Sequence, residues 1–184
     1  LVIAPTSVLP NWRAEIERRL TDTVTGTLIT RYGLRRYNDS FAERNTNFFT
    51  VGPRVDYRAL DWLTLTLTYL YERGLADGHK DTQFADDVSY YLHMVSAGTE
   101  FRLNRQWDLG FTYIHRRKTF TSGLAGDTHV GRFDATHQGI AELRYHMSAA
   151  ATVMLSFQYG KRTSTNALRD FQDSILSIGG QYRF

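Results

Sequence analysis

Residues 50–74 read TVGPRVDYRALDWLTLTLTYLYERG, and the fold follows from how this stretch alternates. From Val51 to Ala59 the odd positions are Val51, Pro53, Val55, Tyr57 and Ala59, and the even ones are Gly52, Arg54, Asp56 and Arg58. Successive strand side chains point to opposite faces, so one face is apolar and the other charged. The alternation resumes with Leu63, Leu65, Leu67, Tyr69 and Tyr71 against Thr64, Thr66, Thr68, Leu70 and Glu72. Only Leu60, Asp61 and Trp62 intervene, which predicts a tight turn between neighbouring antiparallel strands. Tyr57 and Trp62 bound the apolar face near the turn, and Tyr69 and Tyr71 bound it at the far end, with aliphatics between. An apolar band about 9–11 residues long between two aromatic girdles is the pattern of a strand crossing a membrane in a β-barrel.

The rest of the chain repeats the unit. A strand is predicted over about 23–37, with Val24, Leu28, Tyr32 and Leu34 on one parity. Others follow over about 88–103 (Val95, Ala97, Phe101, Leu103), from Trp107 (with Leu109, Phe111, Tyr113), over about 132–147 (Ala141, Leu143, Tyr145) and from Val153 (with Leu155, Phe157, Tyr159). The last carries Leu176, Ile178, Gly180, Tyr182 and Phe184. Long polar loops over about 38–47, 73–87, 117–131 and 161–170 alternate with turns at 60–62, 104–106 and 148–151, as when the two ends of a barrel face different compartments. Aromatics sort accordingly: Tyr57, Trp62, Trp107 and Tyr145 fall by the short turns, and Tyr32, Phe49, Tyr69, Tyr71, Tyr113 and Tyr159 toward the long loops. The polar parity has its own signature before the turns, namely Asp56-x-Arg58, Glu100-x-Arg102 and Glu142-x-Arg144, with Glu17-x-Arg19 as a fourth copy.

Composition bounds the reading. The chain has 184 residues, no cysteine and a formal net charge of +3. No run of about 18 apolar residues occurs, which excludes helical membrane spans. A mean hydropathy of −0.39 would suit a soluble protein, but half of every barrel strand faces a polar interior, which lowers that index. The basic residues are dispersed among acids rather than clustered, which argues against nucleic acid as a partner. The chain, which begins with Leu1, shows no charged n-region followed by an apolar h-region, so the expectation is that either a signal peptide has been removed or the chain is a piece of a longer protein.

Residues 1–20 admit two readings. Trp12, Ile16 and Leu20 recur at helical spacing behind Asn11, whereas the Glu17-x-Arg19 copy favours a strand. A helix would leave a complete eight-stranded barrel over 21–184; a strand gives nine and the C-terminal part of a larger barrel, because single-chain bacterial barrels carry even numbers. The nine-strand reading is preferred. Ala4-Pro5-Thr6-Ser7 and Asn11-Trp12 before Glu15-Ile16 resemble motif Ia of Swi/Snf-type helicases, but no GxxxxGK[ST] loop accompanies them and no helicase function is expected.

The end of the chain, Tyr182 and Phe184 on the apolar parity, looks like the terminal β-signal of bacterial outer-membrane proteins. Residues 14–184 resemble outer-membrane β-barrel porins of the exopolysaccharide-export and porin-cytochrome types, in hairpins such as VDYRALDWLTLTLTYLYERG and TEFRLNRQWDLGFTYIHRR. The resemblance implies a bacterial outer-membrane location, periplasmic short turns and extracellular long loops. It also implies outer-membrane lipid and lipopolysaccharide, the barrel-assembly machinery and further subunits of an envelope complex as partners. The expected function is a hydrated conduit or barrel sheath for transport. The alternative is a closed barrel with a structural or adhesive role, its acid and arginine pairs neutralising one another inside. A lipid-modifying enzyme would draw on His146 and Ser148, but nothing near them completes a triad. His79 with Asp77 and Asp81 could hold a cation, although ordinary loop polarity accounts for them; no catalytic residue, cofactor or metal is expected.

Overall fold

The computed structural model describes residues 12–79 and 86–183. Its strands are β1 (Trp12–Arg19), β2 (Val24–Arg35), β3 (Thr46–Leu60), β4 (Leu63–Ala76), β5 (Tyr90–Arg102), β6 (Trp107–Phe120), β7 (Phe133–His146), β8 (Ala151–Ser164) and β9 (Phe171–Tyr182). They pair antiparallel in chain order to form one up-and-down sheet of nine strands. Short 3-10 turns at Asp39–Arg44 and Ala167–Arg169 are the helical elements among the described residues. Residues 12–19 are a strand, with Glu17 opposite Thr27 and Arg19 opposite Thr25. Among the described residues no ladder joins β1 to β9, so each is an edge.

The register keeps the two parities apart across the sheet. Asp56, Thr66, Gly98, Thr112, Ile140 and Gln158 lie side by side on one face, and Val55, Leu67, Ala97, Tyr113, Gly139 and Tyr159 on the other. A slip of one residue in any pair would exchange the faces of a strand, so the alternation itself fixes the register. Pro53 sits inside β3, where the paired positions with β4 pass from Val51 to Arg54. A residue without an N–H cannot complete both ladders there.

Three of the short connections share one design. Leu20, Leu103 and Met147 donate their amides to the carbonyls of Val24, Trp107 and Ala151. The next side chain, Thr21, Asn104 or Ser148, accepts amides inside the turn. These are residues whose short polar side chains stabilise turns by local hydrogen bonds.

Beyond the expected loop boundaries, β4, β6 and β8 continue to Ala76, Phe120 and Ser164, into stretches read as loops from 73, 117 and 161. β3 likewise begins at Thr46, inside the predicted loop 38–47. The outward charges Arg73, Arg117 and Lys161 imitate loop composition, while the opposite parity stays buried as Gly74, Ala76 and Phe120. The packed core lies here, at the long-loop end of the polar face, around Phe48, Ala76, Tyr90 and Phe120. Large apolar side chains on the other face stay in the open; Leu67 is 57% exposed and Ile178 79%.

Candidate functional site on the polar face

All seven carboxylates of β2–β9 (Asp56, Glu72, Glu100, Asp108, Asp134, Glu142 and Asp173) share the polar face. That face divides into two halves of different character.

At the long-loop end, Glu72 is the hub. Its carboxylate accepts hydrogen bonds from Arg31 Nη2 (2.8 Å), Thr50 Oγ1 (2.7 Å) and Tyr90 OH (2.6 Å), and Arg35 Nη1 donates to the Tyr90 oxygen (3.0 Å). Four strands meet in this cluster. Gly74 makes it possible: Tyr90 lies opposite it, and a Cβ on residue 74 would come within 2.4 Å of the Tyr90 ring.

Cations and rings alternate outward from this hub. Arg31 and Arg35 lie over Phe48, Arg35 over Tyr90, Lys118 Nζ over Tyr90 (3.8 Å) and Phe120 (4.5 Å), and Arg132 over Phe120. Four cations and three rings thus form a continuous ladder from β2 to the start of β7, each contact contributing about 0.5–2 kcal/mol according to its desolvation. Asp134 holds Arg132 by two hydrogen bonds (2.9 and 2.6 Å) and accepts a third from Ser164 (2.6 Å). Lys118 forms no ion pair among the described residues, and the ladder's charge exceeds that of Glu72 and Asp134.

The long loops close over this end. Asp127 takes amides from Asp87 and His129 and the hydroxyl of Ser122. Burial opposes ionisation of its carboxyl, but these hydrogen bonds outweigh it and hold the group below the usual carboxylate range. His129 Nδ1 lies 2.8 Å from Asp86 and 2.9 Å from Asp127, and Arg44 binds the other Asp86 oxygen. Asp86, Asp127 and His129 have ligand atoms within 4.8 Å of one another, a spacing that could hold a cation. Their oxygens already accept from Arg44, Ser122 and backbone amides, so the cluster reads as a lock between loops.

The short-turn half is open. A groove of about 360 Å³ crosses β3–β7, bordered by Thr66, Thr68, Ser96, Gly98, Gly110 and Thr112 with the charges Arg54, Glu100, Glu142 and Arg144. An apolar shelf, including Ile29, Leu70, Leu92 and Met94, lies between the groove and the Glu72 hub.

The predicted acid and arginine pairs occupy this half, but their partners differ from expectation. Only Glu142 and Arg144 bond within the motif (2.5 Å), and Arg144 also reaches Glu100 across two strands (3.0 Å). Asp56 bonds Arg54 and Thr66, whereas Arg58 donates to the carbonyl of Asp22 in the neighbouring turn. Arg102 stands 3.9 Å from Asp108. Glu17 and Arg19 are exposed on β1 and form no ion pair among the described residues. Pairing thus runs both along a strand, as in Arg54–Asp56 and Glu142–Arg144, and across strands, as in Arg144–Glu100, so the acid-x-Arg motif alone does not fix the partners. His146 and Ser148 do not converge: the ring bridges Asp108 (2.8 Å) and Thr152 (3.0 Å), while Ser148 caps its turn. His79 pairs with Asp87 (3.0 Å) instead of Asp77; Asp81 lies outside the described residues.

The girdle residues lie on the apolar face. Tyr57, Trp62, Tyr69, Tyr113 and Tyr159 are exposed, Tyr71 is half-buried, and Trp107 stacks against Tyr145 (4.6 Å). Tyr182 is exposed on β9; Phe184 is outside the described residues. The cation–aromatic ladder was missed by the sequence reading, although it left a trace: Phe48, Tyr90 and Phe120 are aromatics on the polar parity beside the long loops. No protein-family model matches this chain, and no curated protein matches it significantly.

Proposed function

We propose that this chain forms wall of a transmembrane β-barrel in a bacterial outer membrane, porin-like, with a hydrated passage along the polar face. The observation that carries the reading is the segregation of the sheet. Every strand carboxylate of β2–β9 is on one face, and the other presents exposed aliphatics bounded by aromatics. Left in water, each large apolar side chain would forgo about 1.5–3 kcal/mol of burial. Hydrocarbon is the cover that such a face fits. Edges do not persist in lipid, since an unsatisfied backbone group costs several kcal/mol there. β1 and β9 therefore join each other or further strands. In this reading the short turns are periplasmic, the long loops extracellular, and Tyr182 with Phe184 supplies the signal read by the barrel-assembly machinery.

The small polar side chains along the short-turn groove support passage of hydrated solutes. The test is conductance of the folded protein in planar lipid bilayers. Stepwise openings are expected, and a sealed bilayer with correctly inserted protein would contradict the conduit. A second reading is favoured by one observation, the packed ladder and loop lock at the long-loop end: a structural barrel sealed there. It predicts insertion without conductance.

A further inference from the structure

The apolar face is not uniform, and its exceptions are all of one kind. No carboxylate occurs on that face in β2–β9, yet it carries three of the strand cations, Arg73, Arg117 and Lys161, together with His93, His115 and His137. All six lie in the long-loop halves of five consecutive strands, β4 to β8. The row descends from Arg73 on β4 to Lys161 on β8, as a level line does when strands tilt across a barrel wall. Among the described residues, Arg73, Arg117 and Lys161 have no carboxylate partner.

Two of the three imidazoles, those of His93 and His137, are positioned by tyrosines of the girdle just beneath. Tyr69 OH lies 2.7 Å from His93 Nδ1 and Tyr113 OH 2.6 Å from His137 Nδ1. The same pair recurs in successive hairpins. With Nδ1 engaged by a phenol, Nε2 is the nitrogen that the His93 and His137 rings have left for an external acceptor. His115 packs on His137 (4.6 Å), and Arg117 lies over the Phe133 ring (5.0 Å).

An anion that meets this row must also lie against the apolar band that continues from it, which calls for an amphiphile rather than a soluble ion or an acidic protein. Five strands at about 4.8 Å spacing span about 19 Å, broader than a single phosphodiester headgroup. We propose that Arg73, Arg117, Lys161 and the three histidines bind the phosphates of bisphosphorylated lipid A in the outer leaflet. This rests on the membrane reading above, and it names a specific annular site within it.

The test uses the full chain folded in phosphatidylcholine vesicles and in zwitterionic micelles. Binding is measured for bisphosphorylated lipid A, its dephosphorylated form and phosphatidylglycerol. The phosphorylated lipid A should bind on the order of a hundredfold more tightly than the dephosphorylated form, the factor for the three cations Arg73, Arg117 and Lys161 at about 1 kcal/mol each near an anionic surface. Arg117→Glu combined with Lys161→Glu should abolish that preference, while Arg102→Glu on the polar face should leave it. Should the double reversal fail to fold, Arg117→Gln and Lys161→Gln singly should each lower it severalfold. Equal affinity for both forms of lipid A, a preference that survives the substitutions, or phosphatidylglycerol binding as tightly would overturn the site while leaving the membrane reading intact. Failure of the unaltered chain to enter phosphatidylcholine vesicles would overturn both.

Discussion

The two halves of the polar face share strands, parity and charge type, yet they are built differently. At the long-loop end, bulky residues fill the space: Phe48, Tyr90 and Phe120 are buried between cations, and Glu72 at their centre is fully engaged. At the short-turn end, glycines, serines and threonines leave a groove, and the charges over it are held by ion pairs that stay open to solvent, Arg54 with Asp56 and Arg144 with Glu142 and Glu100. The difference shows that alternation decides which face a residue joins, while side-chain volume decides whether that face packs or opens. A charged residue in the first half is structural; in the second it is available to solvent and solutes.

Substitutions at matched positions can break or sharpen this contrast. The largest effect is expected from Glu72→Ala, which would strand Arg31, Arg35 and Tyr90 without their acceptor. Removal of one partner from a buried ionic cluster costs about 3–5 kcal/mol, and urea titration in micelles should register it as a lowered midpoint of unfolding. Glu100→Ala, its counterpart in the open half, should cost less than about 1 kcal/mol. Equal costs would erase the distinction.

Next comes Asp127→Ala in the loop lock, where the acceptor of the Asp87 and His129 amides and the Ser122 hydroxyl is lost and the loop opens locally, at a net cost of about 1.5–3 kcal/mol. The folded-state carboxyl titrates below its unfolded value, so its stabilisation is complete above the ordinary aspartate range. It fades as pH falls through the lowered folded value. Protease sensitivity of residues 121–132 should therefore rise on strong acidification in the parent protein, and should show little such dependence in the variant.

Thr112→Trp should act in the opposite sense, filling the groove and lowering single-channel conductance with a stability change of under about 1 kcal/mol. The smallest effect belongs to Arg58→Ala, exposed and bonded only to a turn carbonyl; its stability should stay within about 0.5 kcal/mol of the parent.

Much of this was legible in the sequence, for a physical reason. Period-two alternation is a local property, so Val55 through Leu67 announces strand, face and hairpin without any knowledge of neighbours. Strand identity for residues 12–19 followed from the Glu17-x-Arg19 copy, and the nine-strand order followed from the short turns. What stayed hidden depends on register between distant segments. Glu72 meets Tyr90 because β4 and β5 pair with Gly74 opposite Tyr90, and the Arg58 guanidinium goes to Asp22 because β2 and β3 meet at their ends. Neither contact has a short-range signal. The extra strand length at Arg73, Arg117 and Lys161 was hidden too, since outward cations look like loop residues until the buried parity beside them is seen.

The central claim is that the two parities face two different media, and the absence of cysteine permits a direct measurement. Neighbouring single-cysteine variants Leu67→Cys and Thr66→Cys, folded in lipid vesicles, are labelled with a fluorophore and tested against brominated lipids and an aqueous quencher. The label at 67 should be quenched by the lipid and spared by the aqueous agent, and the label at 66 should show the reverse. Equal aqueous quenching at both positions, with no quenching by lipid, would contradict the account.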